Sequence, residues 1–223
     1  MQNMILHIDN TTLGPGFDTT TVAARVARKA LEQREAGYAD EIRRLLDAGL
    51  AEMQRRGTSS TPRVADIVAA AGLSNEAFYR HFKSKDALVA AILRDGTERL
   101  TAYLAHQMAK ETTPDGQIRR WVGGVLAQAD LDRAETTLAV LANASGAGEG
   151  IAPGRHPAST ALAALLVEPI TAIGPADPAL VASLIAHAVL GRLTDHLWDG
   201  TPVRRKEVER TTAAVLAACS FSR

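Results

Sequence analysis

The 223-residue chain is long enough to bury a substantial core, and its 25 Lys plus Arg residues balance its 25 Asp plus Glu residues. Because the formal net charge is zero, any affinity for nucleic acid must come from local patches. A single cysteine excludes an internal disulfide framework and a cysteine-rich zinc site. No apolar run approaches the roughly 18 residues of a membrane span, and residues 1–18 lack the pattern of a secretory signal. We therefore expect a cytoplasmic protein with no membrane partner.

The first 36 residues are predicted to form a basic extension. Within them, residues 19–35 predict an amphipathic helix with Val22, Val26 and Ala30 facing inward. Two interpretations of this extension remain open. It packs on the following domain or folds on DNA, where a basic arm can enter the minor groove, or it is a disordered arm without function. Its charged residues between Thr19 and Arg34 are the cations Arg25, Arg28, Lys29 and Arg34 and the single acid Glu32.

Residues 37–97 predict a helix-turn-helix domain, with the motif itself at about residues 63–82. A first helix is expected from Tyr38 to Arg56. Apolar residues then recur at helical spacing up to the turn Ala71-Gly72-Leu73-Ser74, and a second short helix follows from Ser74 to Phe82. A tight glycine-containing turn between two short helices is typical of a DNA-binding pair in which the second helix reads the major groove.

The order of these motifs resembles the TetR (tetracycline repressor-like) family of transcriptional regulators. The resemblance extends from Tyr38 to about Ile92. It implies an all-α fold with an N-terminal helix-turn-helix head and a C-terminal helical body for effector binding and dimerisation. The matching residues are Ile67 in the first motif helix, the turn Ala71 to Ser74, the segment Tyr79 to Phe82, and the helix start Ser84 to Leu88.

The resemblance also implies which residues bind double-stranded operator DNA. Contacts to phosphates are expected from Tyr79, His81 and Lys85, the last at a helix N-terminus where an anion is favoured. Phe78 and Phe82 are assigned to the core of the head. The full set of predicted DNA-binding residues is Arg63, Ser74, Asn75, Ala77, Tyr79, His81, Lys83 and Lys85.

Base reading is expected from the start of the second motif helix. Ser74, Asn75 and Ala77 occupy the stretch that faces the major groove, where Asn can make a bidentate contact to adenine and Ala can contact a thymine methyl group. Glu76 stands where the family commonly has a small residue, and we favour a helix-capping role for it over cytosine recognition. Arg63 replaces a phosphate-binding hydroxyl of the family.

The remaining residues, 98–223, predict further helices and no convincing strand, for about nine helices in all. Helix four is expected from Ser84 to about Lys110, which makes it a link between head and body. Four pairs of a capping residue and a proline predict helix starts, at Thr61, Thr113, Asp177 and Thr201. The other helices are expected at about 114–129, 133–143, 158–173, 178–198 and 202–218, with a mobile glycine-rich loop at 144–156.

Helix eight is apolar on more than one face, which predicts burial on two sides and a second subunit as one of the partners. In the resembling family the last two long helices pack against their copies in a four-helix bundle. We therefore expect a homodimer formed by helices eight and nine. The predicted interface residues are Leu180, Leu184, Ala188, Leu197, Val208 and Val215.

A small-molecule cavity is expected among the helices of the body. Core packing is an alternative for the apolar candidates, and a satisfied buried histidine is an alternative for His187. The effector itself is unknown. The predicted lining residues are Tyr103, His106, Trp121, Glu168 and His187.

These patterns favour a homodimeric transcriptional repressor that a small-molecule effector releases from DNA. A non-inducible DNA-binding dimer with a solid body is the alternative. An enzyme is disfavoured, because the Gly146, Gly148 and Gly150 segment does not have the G-x-G-x-x-G spacing or a following Lys-Ser/Thr, and the histidines show no paired metal spacing. No cofactor, metal or catalytic residue is predicted.

Overall fold

The computed structural model describes residues 21–144 and 158–220, apart from the side chains of Ala23, Leu131 and Asp132. It divides into two units, Met1–Glu41 and Ile42–Arg223, which are described separately. The described residues form nine α-helices and one 3₁₀ turn, so the predicted all-α class is confirmed. The helices are α1 Val22–Arg56, α2 Val64–Ala71, α3 Asn75–His81, α4 Lys85–Met108, α5 Pro114–Leu126, α6 Leu131–Ala144, α7 Ser159–Ile173, α8 Pro178–Trp198 and α9 Arg205–Ser220, with the turn at Ala127–Ala129.

The first unit contains the N-terminal part of α1. The two helices expected at residues 19–35 and Tyr38–Arg56 are one helix that begins at Val22. Its described side chains from Val22 to Asp40 are exposed. The prediction that Val22, Val26 and Ala30 face inward is therefore wrong for this structure. The basic composition of the segment is compatible with this exposure, because Arg and Lys side chains keep their charges in water.

The second unit begins with a small helical head around its own apolar core. Leu45 and Met53 of α1 are fully buried there with Ile67 of α2 and Phe78 of α3. The first helix and α4 approach closely at Gly49, where an added Cβ would lie 2.9 Å from Ile92 Cδ1. A larger residue at this crossing would displace the side chain of Ile92, so Gly49 allows α1 and α4 to approach closely.

The body is organised around the fully buried Trp121 of α5. Its indole Nε1 donates to the carbonyl oxygen of Leu162 on α7 at 3.0 Å, so the polar atom of this side chain is satisfied inside an apolar core. Helices α7 and α8 pack against each other, and Pro169 lies inside α7 without ending it. Among the described helices, none has both the length and the apolar character required to span a membrane.

Helix α6 contributes to both cores. Ala139 and Ala144 are buried with the head cluster, and Leu141 packs against the clusters of the head and of the body. A side-chain hydrogen bond joins the same helix to α1, because Gln54 Nε2 donates to Thr136 Oγ1 at 2.7 Å. Head and body are therefore connected by α6 as well as by the predicted link α4.

Two of the four predicted capping pairs are confirmed. The side chain of Thr113 accepts from Gly116 N, and that of Asp177 accepts from Leu180 N. The other two predictions are wrong, because Arg63 rather than Thr61 precedes α2, and α9 begins at Arg205, four residues after Thr201. The predicted loop at 144–156 lies almost wholly outside the described residues.

Candidate nucleic-acid interface and effector cavity

Serine caps fix the two helix starts that define the candidate DNA-binding surface. Ser74 Oγ accepts from the backbone N–H of Ala77 at 3.1 Å and begins α3, while Ser84 Oγ accepts from Ala87 N at 3.1 Å and begins α4. Such caps satisfy amides that have no partner within the helix. Both start positions are therefore set by local sequence, and Lys85 is held as the first residue of α4.

The described surface of α3 presents polar and charged side chains. Asn75, Glu76, Tyr79 and Arg80 are exposed, and Lys83 lies two residues after the end of the helix. The ring of Tyr79 meets the buried Phe78 edge to face with centroids 5.2 Å apart, which orients it although 58% of its surface remains accessible. Of these residues, Arg80 was not predicted, although its position between Tyr79 and His81 could have indicated it.

The other predicted DNA-binding residues occupy different environments. His81 and Lys85 are half-buried, while Arg63 is exposed at the N-cap position of α2. Ala77 is only 5% exposed and lies in the head, so we correct its predicted contact with a thymine methyl group: its methyl group packs inside. Ser74 uses its hydroxyl oxygen as a helix cap.

Ion pairs connect the end of α1 to the helix-turn-helix. Arg56 Nη2 lies 2.6 Å from Asp66 Oδ2 at the start of α2, and Arg56 Nε lies 3.3 Å from Glu52 Oε2. A hydrogen bond from Arg55, opposed by partial burial and assisted by Arg56, lowers the pKa of Glu52. The carboxylate therefore stays ionised and holds Arg56 in position to bind α2.

A cavity of about 450 Å³ lies between the head and the body in the second unit. This volume falls within the range of small-molecule sites. Its apolar wall comes from α1, α4, α6, α7 and α8, and its polar groups come chiefly from α4 and α6. Among the lining residues are Leu46, Asp47, Asp95, Arg99, Arg133 and Thr136.

The charged groups of the cavity are evenly matched. Arg99 Nη2 lies 2.9 Å from Asp95 Oδ2, one turn away on the same helix. Asp47 and Arg133 add one charge of each sign to the lining. The cavity thus combines an apolar wall with polar groups but has no excess of either charge.

The structure places only one of the five predicted ligand-binding residues in this cavity. Tyr103 lines it, while His106, Glu168 and His187 are exposed elsewhere and Trp121 is a core residue. These four assignments are therefore corrected. The sequence analysis did not predict this cavity, because its lining comes from five helices that are distant in sequence. The local signal among the lining residues was the i, i+4 pair of Asp95 and Arg99.

The predicted dimer residues divide into exposed and buried sets. Leu180, Leu184 and Ala188 are exposed on one face of α8, and Leu184 is 62% accessible. Leu197 and Val215 are buried in the core of the protomer, so they are not available to a partner and their assignment is corrected. Val208 packs partly against the same core. Trp198 of α8 and Val167 of α7 are also exposed.

Helices α2 and α3, joined by the turn at Gly72, form a helix-turn-helix. Residues 45–92 match the model of the bacterial regulatory proteins of the tetR family. The resemblance predicted from the sequence is confirmed over these residues of the head. A comparison with curated proteins finds no match. Of the described residues, none form a group of three or more His, Cys, Asp or Glu side chains able to hold a metal ion.

Solved structures extend the similarity of fold beyond the head. A protein of Pseudomonas aeruginosa PAO1 named as a transcriptional regulator has a TM-score of 0.58 and 23% identity, over 91% of this chain and 100% of its own. A Mesorhizobium loti MAFF303099 protein assigned to the tetR family has a TM-score of 0.58 and 18% identity, over 82% and 97%. A structure concerned with the control of antibiotic production by bacterial hormones has a TM-score of 0.56 and 19% identity, over 81% and 96%.

Proposed function

We propose that the protein is a homodimeric repressor that binds operator DNA through α3 and is released by a small-molecule effector. The observation that carries the DNA-binding role is the exposed surface of α3. Asn75 and Tyr79 extend from a helix fixed by the Ser74 cap, and Lys83 and Lys85 follow within one turn. The side-chain amide of Asn75 can hydrogen-bond to adenine, while the phenol of Tyr79 and the ammonium groups of the two lysines can bind phosphates without base preference.

The proposed dimer uses the exposed apolar face of α8 together with α7. Leu180, Leu184 and Ala188 lie one turn apart on this face, and Val167 is exposed on α7, which packs against α8. An apolar patch of this kind on a described surface favours association. Two copies related by a twofold axis would bury the same face from each subunit. This proposal keeps α8 from the sequence prediction and replaces α9 by α7, because Val215 of α9 is buried in the protomer and Val208 is partly buried against the same core.

The proposed effector is an uncharged or zwitterionic amphipathic molecule. The apolar wall of the cavity favours a hydrocarbon portion, and Thr97, Gln128 and Thr136 can hydrogen-bond to its polar groups. The equal numbers of acidic and basic side chains disfavour a ligand with a single net charge. The fold is similar to that of a structure concerned with the control of antibiotic production by bacterial hormones, and this similarity supports a body that responds to a ligand.

Release from DNA follows from the position of the cavity. It is lined by Leu46 of α1 and by Leu93 and Asp95 of α4, the two helices that support α2 and α3. A ligand that fits better when these helices separate would shift the head between two orientations. Because a dimer must place its two recognition helices about 34 to 36 Å apart, a small change of orientation is enough to lower DNA affinity.

A non-inducible dimer is the second candidate. It would require a body that is packed throughout, and the 450 Å³ cavity favours the inducible regulator over it.

An experiment that tests the main proposal is selection of duplexes from a random library with the purified protein. We expect enrichment of a palindrome and a complex of two chains per duplex by sedimentation. Failure to enrich any sequence would contradict the DNA-binding role.

A further inference from the structure

Arg44 of α1 binds the turn of the helix-turn-helix. Its Nε donates to the carbonyl oxygen of Ala71 at 3.0 Å, and its Nη2 donates to the same oxygen at 2.5 Å and to that of Gly72 at 3.0 Å. The carbonyls at the end of a helix have no later amide within that helix to bind. A guanidinium at this position satisfies them and places a positive charge at the negative end of α2.

The turn is shaped to admit this side chain. Gly72 has φ of 62°, in the left-handed region that favours glycine, and its N–H bonds to Ala69 O. A Cβ atom added to Gly72 would lie 3.0 Å from Arg44 Nη2. Glycine therefore serves two purposes here, since it allows the left-handed conformation and leaves space for the guanidinium.

The contact joins two parts of the head that are 27 residues apart in sequence. Ser74, the cap of α3, comes only two residues after Gly72. Any movement of the turn therefore moves the start of α3. Because Arg44 lies on the helix that also lines the cavity, it connects α1 to the orientation of α3.

We propose that Arg44 is a positioning residue for DNA recognition, which sets the orientation of α3 without binding DNA itself. This inference rests on the proposed DNA-binding function. The competing role follows from the partial exposure of the contact, since an exposed arginine can bind a phosphate directly. The two roles differ in their dependence on salt and on base sequence. A phosphate contact contributes to the salt dependence of all complexes alike, whereas a positioning contact affects base recognition.

The experiment compares wild type with Arg44→Met, Arg44→Lys and the control Arg205→Met, by fluorescence anisotropy on the duplex selected by wild type and on a scrambled duplex. Arg205 has the same charge and pairs with Glu209 on its own helix, α9. Titrations at several salt concentrations give the slope of log K against log salt. Circular dichroism during thermal melting gives the temperature at which each variant begins to unfold, and binding is measured below that temperature.

We expect Arg44→Met to lose about tenfold in affinity for the selected duplex and less than threefold for the scrambled one, with an unchanged salt slope. Arg44→Lys should recover only part of the loss, because an ammonium cannot bridge two carbonyls as a planar guanidinium does. Hydrogen exchange of residues 69–76 should be faster in Arg44→Met than in Arg205→Met.

Three results would overturn the inference. Equal losses on both duplexes with a slope reduced by about 1.8, or 0.9 for each of two phosphate contacts in a dimer, would make Arg44 a DNA contact. Unchanged affinity would show that the contact of Arg44 with the turn has no role in DNA binding. A variant that melts early but binds normally when folded would leave Arg44 with a purely structural role. Failure of wild type to bind any duplex would contradict the proposed function and is recognised before the variants are compared.

Discussion

Gln54 of α1 donates from Nε2 to Thr136 Oγ1 of α6 at 2.7 Å, so a residue that lines the cavity is bonded directly to the head. Two residues further along, Arg56 pairs with Asp66 of α2 at 2.6 Å. A continuous set of contacts thus leads from the cavity to the first motif helix. Such a set provides a physical route for coupling, and its energetic contribution is measured by mutation.

The first prediction concerns the packing of α4 against α5. A Cβ atom added at Gly124 would lie 2.4 Å from Leu104 Cδ2, and Leu104 is fully buried. Gly124→Ala should therefore destabilise the protein by about 1 to 3 kcal/mol despite the better helix propensity of alanine.

Gly96→Ala is the matched control on α4, since an added Cβ there has no neighbour within 4 Å. It should stabilise by up to about 1 kcal/mol, because only the helix propensity changes. Urea unfolding of both variants measures the two values. Stabilisation of both variants by similar amounts would show that α4 and α5 are not in close contact at Gly124.

The second prediction concerns the dimer. Leu184→Asp places a carboxylate in the middle of the exposed face of α8, where a partner would bury it without a counter-charge. We expect folded monomers by sedimentation, because Leu184 contributes little to the protomer core. Ala213→Asp, on an exposed position of α9, should remain dimeric. The opposite result, a dimeric Leu184→Asp and a monomeric Ala213→Asp, would move the interface to α9.

The third prediction concerns pH. A hydrogen bond from Arg192 at 2.7 Å, opposed by partial burial, lowers the pKa of Glu207 from its ordinary value of 4.5. A group with a lowered folded-state pKa stabilises the protein above its unfolded pKa and loses this effect as the pH falls through the folded value. Wild type should therefore melt at a higher temperature than Glu207→Gln at neutral pH, by no more than about 4 °C.

This difference in melting temperature should close as the pH falls below 4.5. Glu209→Gln is the control, since Glu209 pairs with Arg205 one turn away on the exposed surface of α9. It should show a smaller difference at neutral pH. Scanning calorimetry from pH 7 to acid tests both statements, and a difference for Glu207→Gln that grows on acidification would contradict the assignment.

The contrast between predicted and observed residues has a physical origin. The helix-turn-helix was predictable because caps, turn glycine and apolar spacing are local signals, as with Ser74 and Gly72. Whether Ala77 faces DNA or the core depends on how α3 rotates against α1 and α4, which the short motif does not encode. The sequence pattern likewise places Leu197 on an apolar face of α8, but its side chain packs inside its own protomer. The cavity depends on the packing of five helices and has no local signature.

The fourth prediction concerns the cavity. N-phenyl-1-naphthylamine is an uncharged amphipathic probe whose fluorescence rises in apolar sites. We expect saturable binding that is weakened at least fivefold in Thr137→Trp, because Thr137 lines the cavity and the indole ring of tryptophan would fill part of it. Thr171→Trp, on an exposed position of α7, is the control. Equal binding by wild type and both variants would place the probe outside the cavity.

The central claim is that α3 and the start of α4 bind DNA. The measurement that tests it most directly is the salt dependence of binding for the double variant Tyr79→Ala, Lys85→Ala, on the selected and the scrambled duplex, with Lys206→Ala of the exposed α9 surface as control. We expect similar losses of affinity on both duplexes. We also expect the slope of log K against log salt to fall by about 1.8, because each subunit loses one phosphate-neutralising ammonium. Wild-type affinity and an unchanged slope in the double variant would contradict the assignment of α3 as the recognition helix.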